Sequence, residues 1–186
     1  MRVVAGDLRG LALTTVNGRN TRPTAAKVKE AMFNILSPYL ENVKIGVDLF
    51  SGSGALGIEA VSRGVLQMYL VDKNRAAIAA IKTNVQKTHQ EDAFNILPIS
   101  AAHALQHFSE KKLQFDLLIL DPPYAQKITP VIVQKFIEQN LLNSPALILL
   151  ETDYSLADQR RNDCAVLAAK KYGQTYVEIW QYEGDE

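Results

Sequence analysis

From residue 45 onward, short apolar runs alternate with amphipathic stretches, and this alternation limits the fold more than any other feature of the 186-residue chain. Ile45–Phe50, Gln67–Val71, Asn95–Ile99, Phe115–Leu120 and Ala146–Glu151 are apolar segments too short for buried helices and read as strands. Between them lie helical patterns over Ala55–Arg63, ended by Gly64, and over Arg75–Thr88, with Ile78, Ile81 and Val85 on one face. Two more cover Ala101–Phe108 and Thr129–Asn140. Strands that are apolar on both faces and separated by helices belong in a parallel sheet covered on both sides. Two further strands are expected over Ala165–Ala169 and Thr175–Tyr182. The Lys170–Gln174 link is too short for a parallel crossover, so this last pair is expected to be antiparallel.

Residues 1–23 are rich in Gly, Asn, Thr and Arg, with β-type pieces at Val3–Ala5 and Leu11–Thr15, and read as a hairpin or extended arm. Pro23-Thr24 opens a helical pattern in which Val28, Met32, Ile35 and Leu36 recur, and Ser37-Pro38 closes it. The expected division is a 1–44 extension and a 45–186 α/β domain. Net charge is zero, which alone argues against a nucleic-acid partner, but the charge is unevenly placed. Residues 1–44 carry seven Lys/Arg (Arg2, Arg9, Arg19, Arg22, Lys27, Lys29, Lys44) against three acids (Asp7, Glu30, Glu41). Of the 20 charges of each sign, 13 basic and 17 acidic remain for the body. A basic arm on an acidic body attracts phosphates locally; a merely solvated arm is the other reading.

With 47% hydrophobic residues the chain can bury a full core. Its longest apolar runs, Leu117–Leu120 and Ala146–Leu150, are far too short for a bilayer, and the N-terminus has no apolar leader, so a cytoplasmic protein is expected. Cys164 is the only cysteine, which rules out an internal disulfide and a cysteine-based zinc site.

Gly52, Gly54 and Gly57 fit G-x-G-x-x-G at a strand-to-helix junction. Glycine permits positive φ and close ligand approach, and the following helix offers free N–H groups. In open α/β sheets ligands lie at the carboxyl ends of the strands, where this loop falls. The motif alone fits dinucleotides as well as S-adenosylmethionine. Asp48 favours the latter: four residues before Gly52, it would repel a pyrophosphate but pair with an ammonium. Asp72, at the end of the second strand, suits two ribose hydroxyls and does not discriminate. A tight turn without ligand is the bland alternative.

Asp121-Pro122-Pro123-Tyr124 ends the fourth strand on the same sheet edge. The prolines stiffen the turn. The Asp121 carboxylate and the Pro122 carbonyl form two acceptors for the two N–H bonds of an exocyclic amine, and Tyr124 can stack on a base, worth ~1–3 kcal/mol. A base amino nitrogen is a poor nucleophile because its lone pair is delocalised into the ring. Two acceptors orient it and favour a tetrahedral nitrogen, and Asp121 stabilises the developing charge or takes the proton. Cys164 follows no proline and lies far from this loop, which argues against a covalent pyrimidine mechanism.

These residues resemble the RsmD family of 16S ribosomal RNA guanine-N2 methyltransferases. The resemblance is carried by Met1–Gly6 with Leu8-Arg9-Gly10, Thr21–Thr24 with Lys29–Leu36, Asp48–Ala60, Ser62-Arg63-Gly64, Asp121–Tyr124 and Lys171-Tyr172-Gly173. It implies a Rossmann-like class I methyltransferase with a seven-stranded, mostly parallel sheet and an antiparallel last strand. S-adenosylmethionine would be held by Asp48, Phe50, Gly52, Gly54 and Asp72, with Leu56 and Gly57 from the same loop. Arg9, Arg22, Thr24 and Asn34 would face cofactor or RNA, joined by the basic Lys27 and Lys29. The implied partner is 16S rRNA in the small ribosomal subunit or its assembly intermediate, met by a monomer. Three departures stand out. Lys29 replaces a frequent Arg, losing the bidentate fork. Ser51 replaces the commoner Ala. Ser100 and Ala101 occupy the region where many relatives place Asp or Asn to bind adenine.

The spacing of His103 and His107 fits zinc ligands, but no third ligand is apparent and no metal is expected. Trp180, Tyr176 and Tyr182 read as sheet packing, Glu151 closes the fifth strand near the cleft, and Glu30 and Asn34 are one helical turn apart. Two rival functions remain open at this point: N6-adenine methylation of DNA, for which no recognition insert is visible, and an NAD-dependent oxidoreductase or non-catalytic nucleotide-binding module.

Overall fold

The computed structural model describes residues 1–16, 23–123 and 127–184, with side chains in the first helix from Ala26. Residues 1–16 form a hairpin-like arm. Arg2 bridges Ala12 in antiparallel fashion, with backbone bonds from Val3 N–H to the Leu11 carbonyl and from Leu13 N–H to that of Met1. Helix α1 (Pro23–Leu36) follows and runs into a 3₁₀ turn at Ser37–Asn42.

The chain then alternates β1 (Ile45–Asp48), α2 (Ala55–Ser62), β2 (Gln67–Val71), α3 (Arg75–Thr88), β3 (Phe94–Leu97), α4 (Ala101–Glu110), β4 (Phe115–Leu120), α5 (Thr129–Glu138) and β5 (Leu142–Thr152). The hairpin β6 (Cys164–Tyr172) and β7 (Thr175–Tyr182) completes it. The seven strands lie in the order β3-β2-β1-β4-β5-β7-β6, with β7 antiparallel to both neighbours and the other pairings parallel.

Both sheet faces are buried. Val3 and Leu13 of the arm, Met32 and Phe33 of α1, Ile58 of α2 and Ile81 of α3 pack on one face with Leu117, Ile119 and Leu149. On the other, Phe108 of α4 and Phe136 of α5 pack with Leu118, Leu120 and Ile148. Strand residues alternate between these two clusters, as the period of two requires. Trp180 is buried in the second cluster, as its sheet-packing reading expected.

Several element ends differ from the sequence expectation. β1 stops at Asp48 because the chain turns into the glycine loop, although Leu49 N–H still bonds the Ile119 carbonyl at 3.2 Å. β3 runs over Phe94–Leu97, ahead of Pro98, which has no N–H for a ladder. β6 extends to Tyr172 through Lys170 and Lys171, which periodicity had assigned to a link. It is an edge strand, where solvated lysines are at home.

Candidate active site

β1 is the switch point of the sheet. The chain steps outward from it to β2 and β3, then returns to its other side with β4. Asp48 pairs in register with Leu70 on β2 and Ile119 on β4, so Asp72 and Asp121 each stand two residues beyond its partners. The topology thus gathers three acids from distant sequence at one carboxyl edge, where such folds bind ligands. Leu120 pairs with Leu150, which puts Glu151 on the next rung beside Asp121.

The glycine loop takes its course because its glycines adopt backbone that other residues resist. Gly52 has φ +56° and Gly54 φ +79°, and Gly54 is the left-handed N-cap of α2. Gly57 serves packing instead, since a Cβ there would lie 2.3 Å from Leu70 Cδ2. Hydrogen bonds lock the loop to its surroundings. Gly52 N–H donates to Asp72 Oδ2 at 2.9 Å, Ser51 N–H to the Val71 carbonyl at 2.9 Å, and Ser51 Oγ to the Asp48 carbonyl at 2.7 Å. The other Asp72 oxygen accepts from Asn74 N–H at 2.9 Å. Asp72 thus fixes the loop at the carboxyl edge, and a carboxylate is the kind of acceptor that ribose hydroxyls take.

Asp48 is different. It is 1% exposed, and neither carboxyl oxygen has a hydrogen-bond partner among the described residues. Burial pushes its carboxyl up from 3.8 to about 7; the N–H dipoles of Gly57 and Phe50 oppose the rise without reaching bonding geometry, and the Asp72 charge adds to it. A buried carboxyl lacking a partner beside a glycine loop suits a ligand that brings a cationic N–H group. Phe50 and Leu56 are half-buried at the same loop. The residues present therefore fit a ligand carrying an ammonium and ribose hydroxyls.

At the end of β4, Asp121 is half-buried, Pro122 buried and Pro123 exposed, while Tyr124 lies outside the described residues. Ser100 caps α4, its Oγ accepting from His103 N–H at 3.3 Å and meeting His103 Nδ1 at 3.1 Å, with Ala101 as the first helical residue. An adenine at Ser100 would have to share a hydroxyl already in use as a cap. Cys164 is buried and its thiol is pushed up to about 12 by burial with the Asp163 charge beside it, which leaves it inert as a nucleophile.

Of the basic and polar N-terminal residues, Arg9, Lys27 and Asn34 are exposed. Arg22 and the Thr24 side chain lie outside the described residues. Asn34 accepts from Arg63 Nη1 at 3.4 Å. Lys29 corrects the sequence reading: it is 3% exposed, with its ammonium 2.7 Å from Glu59 Oε2 and 2.8 Å from the Arg2 carbonyl. It faces the core because it shares the α1 stripe of Phe33 and Leu36, and a buried cation held by a carboxylate is not a phosphate contact. Burial lowers the Lys29 pKa against the raising pull of Glu59. Glu59 is buried as well, and burial would raise it, but its bond and charge contact with Lys29 bring it below the usual carboxylate value.

Glu59 is the residue whose role sequence reasoning missed. Its oxygens accept from Val4 N–H at 2.9 Å, Ala5 N–H at 3.1 Å, Lys29, and Arg63 Nε at 2.9 Å, joining arm, α1 and α2. The signal was a single acid inside the apolar stretch Ala55–Val61. Nearby, Ser62 holds the arm through Asp7 N–H and Leu8 N–H, and Gly6 (φ +82°) passes so close that a Cβ would fall 1.6 Å from the Ser62 carbonyl oxygen.

Comparison with known proteins supplies the family. A family model described as Conserved hypothetical protein 95 matches residues 1–181. YlbH of Bacillus subtilis, named as a candidate rRNA methyltransferase, is 34% identical over 99% of this chain and 100% of its own length. Ribosomal RNA small subunit methyltransferase D of Haemophilus influenzae is 33% identical over 82% of this chain and 79% of that protein. The solved structure of yhhF, a candidate methyltransferase from Escherichia coli, superposes with a TM-score of 0.84 at 25% identity, covering 100% of this chain and 99% of that one. The seven-stranded sheet is thus a Rossmann-like methyltransferase sheet, and the chain belongs to the Conserved hypothetical protein 95 family, that of ribosomal RNA small subunit methyltransferase D.

Proposed function

We propose that the chain methylates the exocyclic N2 amino group of a guanine in 16S ribosomal RNA, using S-adenosylmethionine. One observation carries the reading: Asp48, buried without a hydrogen-bond partner, on the same sheet edge as Asp72 and Asp121-Pro122-Pro123. When bound, S-adenosylmethionine supplies an electrophilic sulfonium methyl. Asp48 receives the ammonium, and the Asp72 carboxylate accepts from the ribose hydroxyls. Phe50, Gly52, Gly54, Leu56 and Gly57 border the same space.

Asp121 and the Pro122 carbonyl accept the two N–H bonds of the amine and hold its lone pair out of conjugation with the base. As the nitrogen gains positive charge, Asp121 stabilises it and takes a proton. Pro122 and Pro123 keep these acceptors fixed, so positioning supplies much of the rate. Tyr124 stacks on the base. The 1–44 extension serves as the RNA-contacting part, through Arg9, Arg22, Thr24 and Lys27, because the 45–186 domain is acidic. The named relatives support a ribosomal substrate. The partner is then the small subunit or an assembly intermediate of it, met in the cytoplasm by a monomer. No helix among the described residues is long and apolar enough to cross a membrane.

A transfer assay with labelled methyl donor compares small subunits, naked 16S rRNA and duplex DNA. Label on the ribosomal substrates alone is expected. Label on DNA alone sinks the reading and favours N6-adenine methylation.

A further inference from the structure

Asn84 sits in the middle of α3 and is completely buried. Its amide bridges two separate parts of the molecule, the N-terminal arm and the glycine loop. Oδ1 accepts from Thr14 N–H at 2.7 Å. Nδ2 donates to the Thr14 carbonyl at 2.8 Å and to the Ser53 carbonyl at 2.9 Å. Both N–H bonds and the acceptor are therefore in use. Thr14 belongs to the arm, and two residues beyond it the chain enters the segment that carries Arg19 and Arg22.

Ser53 stands between Gly52 and Gly54 in the ligand loop. Its carbonyl belongs to the same peptide plane as Gly54 N–H, which donates to the Ser51 carbonyl at 2.7 Å. That plane is gripped at one end by Ser51 and at the other by Asn84. Restraint matters there, because Ser53 lies between two glycines, Gly52 and Gly54, that both have positive φ. A displacement of the arm at Thr14 thus reaches the loop through one rigid amide. One turn further along α3, Lys87 also holds the arm, donating to the Ala12 carbonyl at 3.2 Å and to Thr14 Oγ1 at 3.0 Å. Those two bonds go to the arm alone.

We propose that Asn84 is a positioning residue that couples the arm to the ligand loop, so that RNA held on the arm and cofactor held in the loop strengthen each other's binding. The inference rests on the RNA-methyltransferase reading given above. Coupling between two sites is reciprocal and typically amounts to 5–150-fold in affinity.

The test is equilibrium binding of radiolabelled S-adenosylhomocysteine, with and without saturating small ribosomal subunits. In the wild type, subunits are expected to tighten binding by roughly fivefold or more. In Asn84→Ala and the milder Asn84→Ser the ratio is expected to fall to about one, with the loss in turnover falling on KM for the methyl donor rather than kcat. Lys87→Ala, which loosens the arm but leaves Ser53 gripped, is expected to keep the ratio. Thermal melting verifies that each variant is folded. Equal loss of the ratio in the Lys87 and Asn84 variants means that Asn84 merely docks the arm, and overturns the proposal. So does a wild type that methylates subunits yet shows no tightening. A wild type that neither binds nor methylates subunits overturns it together with the functional reading.

Discussion

Replacing Asp48 by asparagine keeps the side chain's outline and removes its charge, and its expected effect on stability depends on pH. In the folded chain the carboxyl titrates at about 7 instead of 3.8. At about 1.4 kcal/mol per unit, the ionised form above pH 7 carries a cost of ~4 kcal/mol. The folded pKa lies above the unfolded one. The favourable contribution is therefore complete below pH ~4 and is lost as pH rises through 7. Asparagine escapes that titration but turns its own N–H groups toward the N–H groups of Phe50 and Gly57, a fixed penalty of about 1–3 kcal/mol.

The two effects roughly cancel near pH 5, and at pH 8.5 the variant is expected to be more stable by about 1–3 kcal/mol. For a chain of this size that is a rise in Tm of several degrees, at roughly 2–4 °C per kcal/mol. The assay is thermal unfolding of both proteins without ligand at pH 5, 7 and 8.5. Affinity for S-adenosylhomocysteine should move the other way, weakening roughly 10–100-fold as the ammonium loses its counter-charge. A Tm difference that does not change with pH refutes the reasoning, because it means that Asp48 is not the group titrating near neutrality.

Asp121→Ala is expected to lower kcat by roughly 10²–10⁴-fold while leaving S-adenosylhomocysteine affinity within about twofold, as calorimetry and turnover assays will show. Equal loss of both would move Asp121 from the amine to the cofactor. Glu59→Ala should destabilise the fold by about 3–5 kcal/mol in denaturant unfolding, because it strands the Lys29 ammonium in the core. The Lys29→Met, Glu59→Leu double variant should recover part of that loss, since Val4 N–H, Ala5 N–H and Arg63 still lose their acceptor, and no recovery argues against the buried pair as a cause. Since the Glu59 pKa is lowered by folding, its contribution is complete above the unfolded value of 4.5 and is lost as pH falls below it. Gly57→Ala places a Cβ against Leu70 Cδ2, so the buried Leu70 side chain or α2 must shift and the melting temperature is expected to fall; a melting temperature and cofactor affinity like the wild type's would show the close packing to be slack.

What could be read in the sequence was local. Asp48–Gly57 was legible because a strand, a tight turn and a helix start within a dozen residues, and each step demands particular residue types. The convergence of Asp72 and Asp121 on that loop followed from the alternation of strands and helices, since a parallel sheet places every strand's carboxyl end on one edge. The ties between the arm and the domain were not legible in the same way. Lys29 meets Glu59 across 30 residues, Val4 meets it across 55, and Thr14 meets Asn84 across 70. No periodicity encodes such pairings. The trace they left was a polar residue on an apolar stripe: Lys29 with Phe33 and Leu36, Asn84 with Ile81 and Val85. Read as charge alone, Lys29 looked like a phosphate contact. Read as a position on the helix, it belonged to the core. The full length of β6 was hidden for a related reason, since an edge strand has no need of apolar residues on its outer side.

The central claim concerns a particular atom on a particular base. Nucleoside mass spectrometry of 16S rRNA from small subunits incubated with the protein and S-adenosylmethionine reads that atom directly. N2-methylguanosine is expected to rise with the wild type and stay at background with Asp121→Ala. An unchanged N2-methylguanosine level, or N6-methyladenosine in its place, would contradict the account.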